Sequence, residues 1–486
     1  MLDELPRPHR VPKGEYERAQ GTLRVDLINA QFELRNRDFP VIVLVAGDDR
    51  VAVNESVQLL HDWMDARFLV TRVFTEPTEE ERQRPLFWRY WRALPARGKV
   101  GVHVGSWAAA VVRDRLERHL DAGAFAGRLA HIRQFEAELV ADGALLLKFW
   151  LHLDRKALER RIRRFPGADD EAWQVEKSDR QMLRRYGETM ALVEDMLAAT
   201  HTAQAPWLAI PDGNKRHRNL ALATALRDAL ARHLRERRRR RAATPPTRPP
   251  VPDALARVDL SRRYATAAGY DRMRKRWQAE LGRLTRQARD SGISSVLVFE
   301  GWDAAGKGGA IRRLTRAMSV RDYRVVPVGV PTDEENRYHY LWRFWRHLPG
   351  AGQMLIFDRS WYGRVLVERV EGFARPDEWE RAYQEIADFE SQLVEHGIRL
   401  CKFWLHIDEE EQLRRFEARQ QTEYKKYKIT AEDFRNREQW QPYVEAVNEM
   451  VAQTSTRQAP WTLVPANDKR WARVQVLKTV CTALAQ

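Results

Sequence analysis

Residues 296–314, VLVFEGWDAAGKGGAIRRL, decide the fold. A short apolar, valine-rich run is followed by Gly301-Trp302-Asp303-Ala304-Ala305-Gly306-Lys307-Gly308-Gly309, and then by apolar residues at helical spacing. The pattern predicts a strand, a glycine-rich turn and a helix start. Glycines let successive backbone N–H groups point into one concavity, where the helix N-terminus adds positive potential and Lys307 supplies a mobile full charge. Such a cradle suits phosphate. The spacing fits G-x-x-x-x-G-K, yet Gly308 stands where a Ser or Thr hydroxyl would normally reach Mg²⁺. Another oxygen must then hold the metal, and Asp303 inside the loop is the first candidate.

Working outward, the chain repeats itself. Residues 87–95, FWRYWRALP, match residues 341–349, LWRFWRHLP, with Trp88 and Trp342 standing 254 positions apart. The same offset relates Ser106-Trp107 to Ser360-Trp361, residues 148–152 (KFWLH) to residues 402–406, and Ala205-Pro206-Trp207 to Ala459-Pro460-Trp461. The chain therefore reads as two copies of one fold of roughly 230 residues each. Between them, residues 235–241 hold six arginines and one glutamate, and residues 242–252, AATPPTRPPVP, cannot continue a helix. The arginine run reads as a solvated helix end. The expected organisation is a domain at residues 1–233, an Arg/Pro-rich linker at 234–254 and a second domain at 255–486.

Helical segments are expected at residues 16–37 and 270–290, ahead of the first strand of each copy. Further strands are legible at residues 325–330, 354–357, 400–407 and 462–465. Strands alternating with helices predict an α/β fold, a parallel sheet covered by helices on both faces, with ligands at the carboxyl ends of the strands.

Composition sets outer limits. A chain of 486 residues with 44% hydrophobic content can bury a core in each domain. Its start is polar and proline-rich, unlike a secretory signal, and no apolar run approaches the roughly 20 residues of a membrane span. Cys401 and Cys481 lack metal-ligand spacing, so a reducing, cytoplasmic setting is expected. The net charge of +15 calls for an anionic partner, which composition alone does not identify.

Because the copies are related, their differences sort residues by role. Asp303 keeps a counterpart in Asp49, but Gly306, Lys307 and Gly308 face Ala52, Val53 and Asn54. The strand ending in Asp358-Arg359 faces Val104-Gly105. Losing lysine, acid and arginine together is what loss of phosphoryl transfer would look like, since these groups act as one unit. The N-terminal copy is expected to be catalytically inactive. Conversely, Trp342, Arg343, Trp345, Lys402 and His406 persist as Trp88, Arg89, Trp91, Lys148 and His152, so structural roles are expected for them.

In the C-terminal copy, Asp358 at a strand end beside the loop is placed to bind Mg²⁺, and Arg359 to meet phosphate oxygens. Residues 409–443 then read as a basic helix-loop-helix lid. Arg415 and Arg419 share one face, Lys425 and Lys428 lie in the loop, and Arg435 and Arg437 follow. The other copy has Phe165, Glu171 and Gln174 opposite Arg419, Lys425 and Lys428.

These motifs resemble the family-2 polyphosphate kinases, and within them the two-domain class, the polyphosphate:AMP phosphotransferases. The carriers are residues 301–309, residues 358–370 (DRSWYGRVLVERV) and the lid from Arg415 through Arg419 to Lys425 and Lys428, continued by Arg437, Trp440 and Tyr443. The resemblance spans essentially the whole chain and implies a P-loop kinase core, Mg²⁺ dependence and transfer from inorganic polyphosphate to AMP, giving ADP. Where the family pattern carries Asp-Pro before the first lid lysine, Thr422-Glu423 stands here.

On this reading Lys307 meets the transferring phosphoryl group, Asp303 and Asp358 hold Mg²⁺, and Arg359 neutralises phosphate charge. Gly301, Gly306, Gly308 and Gly309 form the cradle, with Arg415, Arg419, Lys425 and Lys428 as its lid. Neither nucleic acid nor membrane is an expected partner, and homo-oligomerisation is left open. Two rival readings are an ATP-using nucleoside monophosphate kinase and a nucleic-acid binder using the basic charge and the 17 tryptophans.

Overall fold

The computed structural model describes residues 2, 4–6, 9–163, 177–237, 251–423 and 431–486. The first sheet comprises β1 (Val41–Gly47), β2 (Leu69–Val73), β3 (Val100–Val104), β4 (Leu145–His152) and β5 (Trp207–Pro211). The second comprises β6 (Ser295–Gly301), β7 (Tyr323–Pro327), β8 (Met354–Asp358), β9 (Arg399–His406) and β10 (Trp461–Pro465). Their spatial orders are β2-β3-β1-β4-β5 and β7-β8-β6-β9-β10, the same topology twice, and every neighbouring pair is parallel.

Both central strands are buried along all but their last residue, as continuous apolar runs in a two-sided parallel sheet must be. Helices that the apolar periodicity placed at residues 16–37 and 270–290 run over Lys13–Leu34 and Ala267–Asp290. The strand expected at 325–330 begins two residues earlier and stops at Pro327. Beyond it Val328 N–H still bonds Asp358 O at 3.0 Å, while Val330 is almost fully exposed.

Two compact units emerge. One holds Met1–Pro77, Arg89–Arg241 and Asp333–His339, the other Thr78–Trp88, Ala242–Thr332 and Tyr340–Gln486. Each unit thus includes a short stretch from the other copy's sequence, which a single linear cut near the proline-rich segment does not capture. The residues from 238 to 250, most of that segment, lie outside the described ones. Among the described residues no helix is long and apolar enough to cross a membrane.

The residues common to both copies build a shared core device. Lys402, fully buried, donates to Glu390 at 2.7 Å, the Tyr362 hydroxyl at 3.0 Å and Thr454 O at 2.7 Å. Lys148 repeats this with Glu136 and Thr200 O, both at 2.6 Å. Trp88, Trp91, Trp342 and Trp345 are all buried, so these tryptophans serve packing.

Candidate active site

In the second sheet the strand order reverses between β6 and β8, which opens a crevice at their carboxyl ends. The glycine-rich turn leaves β6 there, and the helix Lys307–Thr315 starts from it. Two of its glycines are required by geometry. Gly306 sits at φ +116°, in the left-handed region, and a Cβ on Gly301 would lie 2.6 Å from Leu405 O on β9. Lys307 Nζ donates to Gly301 O at 2.6 Å and more weakly to Trp302 O, so the loop's own carbonyls hold it in place.

A cleft of about 890 Å³ collects Asp303, Lys307, Asp358, Arg359, Arg415 and Arg419, together with Gly306, Gly308 and Gly309. Gly301 lines a smaller adjoining cavity of about 70 Å³ with Trp302, Asp303, Arg359 and the aromatic Trp404 and Tyr443. Lys425 and Lys428 lie outside the described residues.

Asp303 accepts from Arg359 Nη2 through one oxygen and from Asn436 Nδ2 through the other, both at 3.1 Å. Burial opposes its ionisation, but Lys307 and Arg359 outweigh that and hold the carboxyl below its ordinary range. Asp358 Oδ2 lies 4.0 Å from where a Gly308 Cβ would stand, facing the start of the helix. No side-chain hydrogen bond or ion pair engages its carboxylate among the described residues. A hard divalent cation suits this donor set. Small cations such as Mg²⁺ are commonly held by one or two carboxylates with water and substrate phosphate supplying the rest.

Arg359 occupies a left-handed backbone conformation, φ +66°, and Gly105 holds the equivalent place in the other copy at φ +65°. The copy that lacks the arginine has the residue that adopts this φ without strain. Arg359→Gly and Arg359→Ala are both expected to lower turnover at least about tenfold. In denaturant melts the glycine variant should be the more stable by about 1 kcal/mol, because alanine retains the backbone cost. Equal stabilities would show that no strain is stored at this position.

Arg415 corrects an expectation. It does not reach out as a lid group but is buried, donating to Ala304 O, Ala305 O, Ala466 O and Asn467 O at 2.6–3.0 Å and to Glu411. All five donors of its fork are engaged. It fixes the glycine loop against the turn after β10. Arg419, on the same helix Glu409–Gln420, does face the cleft. Arg437 ties the helix Ala431–Glu438 to Glu409 O at 2.7 Å.

His406 is likewise structural. Its Nδ1 accepts from Trp302 Nε1 at 3.0 Å, and burial lowers its pKa to about 4, so the ring is neutral. Arg343 donates to Gly329 O at 3.1 Å and does not line the cleft.

Several cleft residues escaped the sequence reading. Arg312, Lys469 and Arg473 line it without a side-chain hydrogen bond or ion pair among the described residues. Burial, reinforced by the charge of Arg415, lowers the Lys469 pKa to about 8. Glu300, fully buried on β6, accepts from Ser360 Oγ at 2.8 Å. The other copy keeps the serine as Ser106 but has Ala46 for the acid, and the buried Ser106 hydroxyl has no hydrogen-bond partner among the described residues. The signal for Glu300 lies in the 254-residue offset, where it faces Ala46 while its serine partner is kept.

The description "Polyphosphate kinase 2 (PPK2)" matches residues 10–238 and again residues 264–486. A polyphosphate:AMP phosphotransferase of Pseudomonas aeruginosa is 44% identical over 100% of this chain and 98% of its own length. A protein of the same name from Acinetobacter johnsonii is 36% identical over 95% of each. A solved polyphosphate kinase 2 structure from Pseudomonas aeruginosa PA01 superposes with a TM-score of 0.89 at 43% identity, over 100% of this chain and 98% of that one.

Proposed function

Since the chain belongs to the polyphosphate kinase 2 family, we propose that it transfers the terminal phosphoryl group of inorganic polyphosphate to AMP, giving ADP. The observation that carries this is one cleft in which Lys307, Asp358 and Arg419 meet three further cations that have no acid partner among the described residues. Each internal phosphate of the donor bears about one negative charge and AMP about two, so repulsion is the first barrier. A cleft rich in fixed positive charge offsets it and aligns acceptor oxygen, phosphorus and leaving oxygen.

Lys307 is assigned to the transferring phosphoryl group. It now bonds neutral carbonyls, and a phosphate oxygen would be the stronger, charge-assisted acceptor. Arg359 steadies Asp303 and extends donors to phosphate. Arg419 is assigned to the lid, and the same role is proposed for Lys425 and Lys428. Arg312, Lys469 and Arg473 receive the donor chain. The acceptor lies toward Asp303 and Arg359, where the adjoining cavity offers aromatic walls for a base. Asp303 and Asp358 would hold the divalent cation, assigned as Mg²⁺, which when bound neutralises phosphate oxygens. No separate base is needed, because the acceptor phosphate is already ionised at neutral pH.

The N-terminal copy is assigned a non-catalytic role. No nucleic-acid or membrane partner is proposed, and the two buried free thiols favour a cytoplasmic setting. The donor assignment is tested by comparing polyphosphate with ATP as sole phosphoryl source for AMP. Polyphosphate should be preferred at least about tenfold in kcat/KM, about 1.4 kcal/mol of selectivity. Equal or better use of ATP would overturn the assignment.

Lys469 yields a pH signature. With its free-enzyme pKa lowered to about 8, it loses its proton above that pH, whereas a bound anion favours the charged form. The KM for polyphosphate should therefore rise between pH 7 and 9, and Lys469→Arg should flatten the rise. An unchanged profile in Lys469→Arg would remove this residue from donor binding.

A further inference from the structure

In the N-terminal copy, a ladder of alternating charge includes four positions equivalent to residues that line the phosphate cleft. Lys215 Nζ meets Glu55 at 2.7 Å, and Glu55 meets Arg218 at 2.5 Å. Arg218 meets Asp212 at 2.5 Å, Asp212 lies 3.8 Å from Arg161, and Arg161 meets Asp49 at 2.9 Å. Arg218, Asp212 and Asp49 are essentially inaccessible to solvent.

At the 254-residue offset the ladder corresponds to Lys469, Gly309, Ala472, Ala466, Arg415 and Asp303. Of its three carboxylates, only Asp49 has an acidic counterpart in the C-terminal copy. Glu55 stands where the glycine of the cradle helix would be, and Asp212 where an alanine follows the last strand. The shared lysine sets the contrast. Lys215 is neutralised by Glu55, whereas Lys469 lines an open cleft without an acid partner among the described residues. Burial opposes ionisation of Glu55, but Lys215 and Arg218 prevail and keep it a carboxylate.

We infer that the N-terminal cradle is permanently occupied by its own side chains. Glu55 and Asp212 stand in for the phosphate oxygens that the C-terminal copy takes from substrate, so this copy binds neither polyphosphate nor nucleotide there. The arrangement also explains why Lys215 and Arg161, the counterparts of Lys469 and Arg415, remain after the loop lysine is gone. Arg218 is buried against these acids and needs them as counter-ions.

The inference rests on reading the C-terminal copy as the phosphate-binding one, and its test uses the full chain with binding and melting as readouts. A failure of ADP formation would leave those readouts standing. In Glu55→Gln, Lys215 and Arg218 lose their shared carboxylate while the side-chain shape is kept. This variant should bind one more equivalent of inorganic tripolyphosphate than wild type by isothermal titration. Its Tm should fall by about 4 °C in low salt and recover when tripolyphosphate is added. Lys215→Met, at the solvent-exposed end of the ladder, should leave the wild-type stoichiometry unchanged. Loss of an equivalent in Lys215→Met, or no gained equivalent in Glu55→Gln, overturns the inference. If Glu55→Gln yields no folded chain, Lys215→Met decides alone.

Discussion

Replacing Lys307 or Asp358 by alanine should each lower kcat for phosphoryl transfer to AMP by more than about a hundredfold, the scale of losing one preorganised transition-state charge. Both residues line the same cleft, Lys307 at the first turn of the cradle helix and Asp358 at the end of β8. Each supplies something the other cannot. On the proposed assignment the lysine would offer a mobile positive charge to the moving phosphoryl group, and the aspartate an oxygen to a hard cation. Neither belongs to the sheet core, so circular dichroism and thermal melts should match wild type. Turnover within a few-fold of wild type in either variant would remove that residue from the chemistry.

The second large effect is on stability. Lys402→Met should destabilise the chain by about 3–5 kcal/mol, the cost of leaving a buried acid without its counter-ion. Lys402 and Glu390 are both almost wholly buried and bond at 2.7 Å. Burial works to raise the pKa of Glu390, and its bond to Lys402 works against that. Removing the lysine also orphans Thr454 O, which accepts from the same ammonium. The double variant Lys402→Met/Glu390→Gln should recover part of the loss, because the unpaired charge is gone. Urea denaturation of the two variants measures both. A single variant within about 1 kcal/mol of wild type would mean that water reaches Glu390.

Much of this architecture was legible in the residues. The valine-rich run before a glycine-rich turn specified β6 and the helix after it, since only a strand and a helix start bring those backbone N–H groups together. The internal repeat carried further information. It separated Lys402 and His406, kept in both copies for packing, from Lys307 and Asp358, kept in one copy and assigned to the chemistry.

Arg415 shows where such reasoning stops. Its spacing from Arg419 placed both on one helical face, but only three-dimensional packing reveals that its guanidinium is consumed by four backbone carbonyls and Glu411. The exchange of short stretches between the two compact units leaves no local pattern either, because it depends on pairings far apart in sequence. Arg312, Lys469 and Arg473 were hidden for a related reason. Arginine and lysine are common on helix surfaces, and nothing in their spacing tells a solvated face from one turned into a cleft.

The most direct measurement follows the phosphorus itself. Full-length chain freed of nucleoside triphosphate is mixed with AMP, long-chain polyphosphate and Mg²⁺ and observed by ³¹P NMR. The expected result is growth of the ADP resonances in step with shortening of the chain, abolished in Lys307→Ala. Persistence of AMP with intact polyphosphate, or ADP formation that Lys307→Ala leaves untouched, would contradict the C-terminal cleft as the site of transfer.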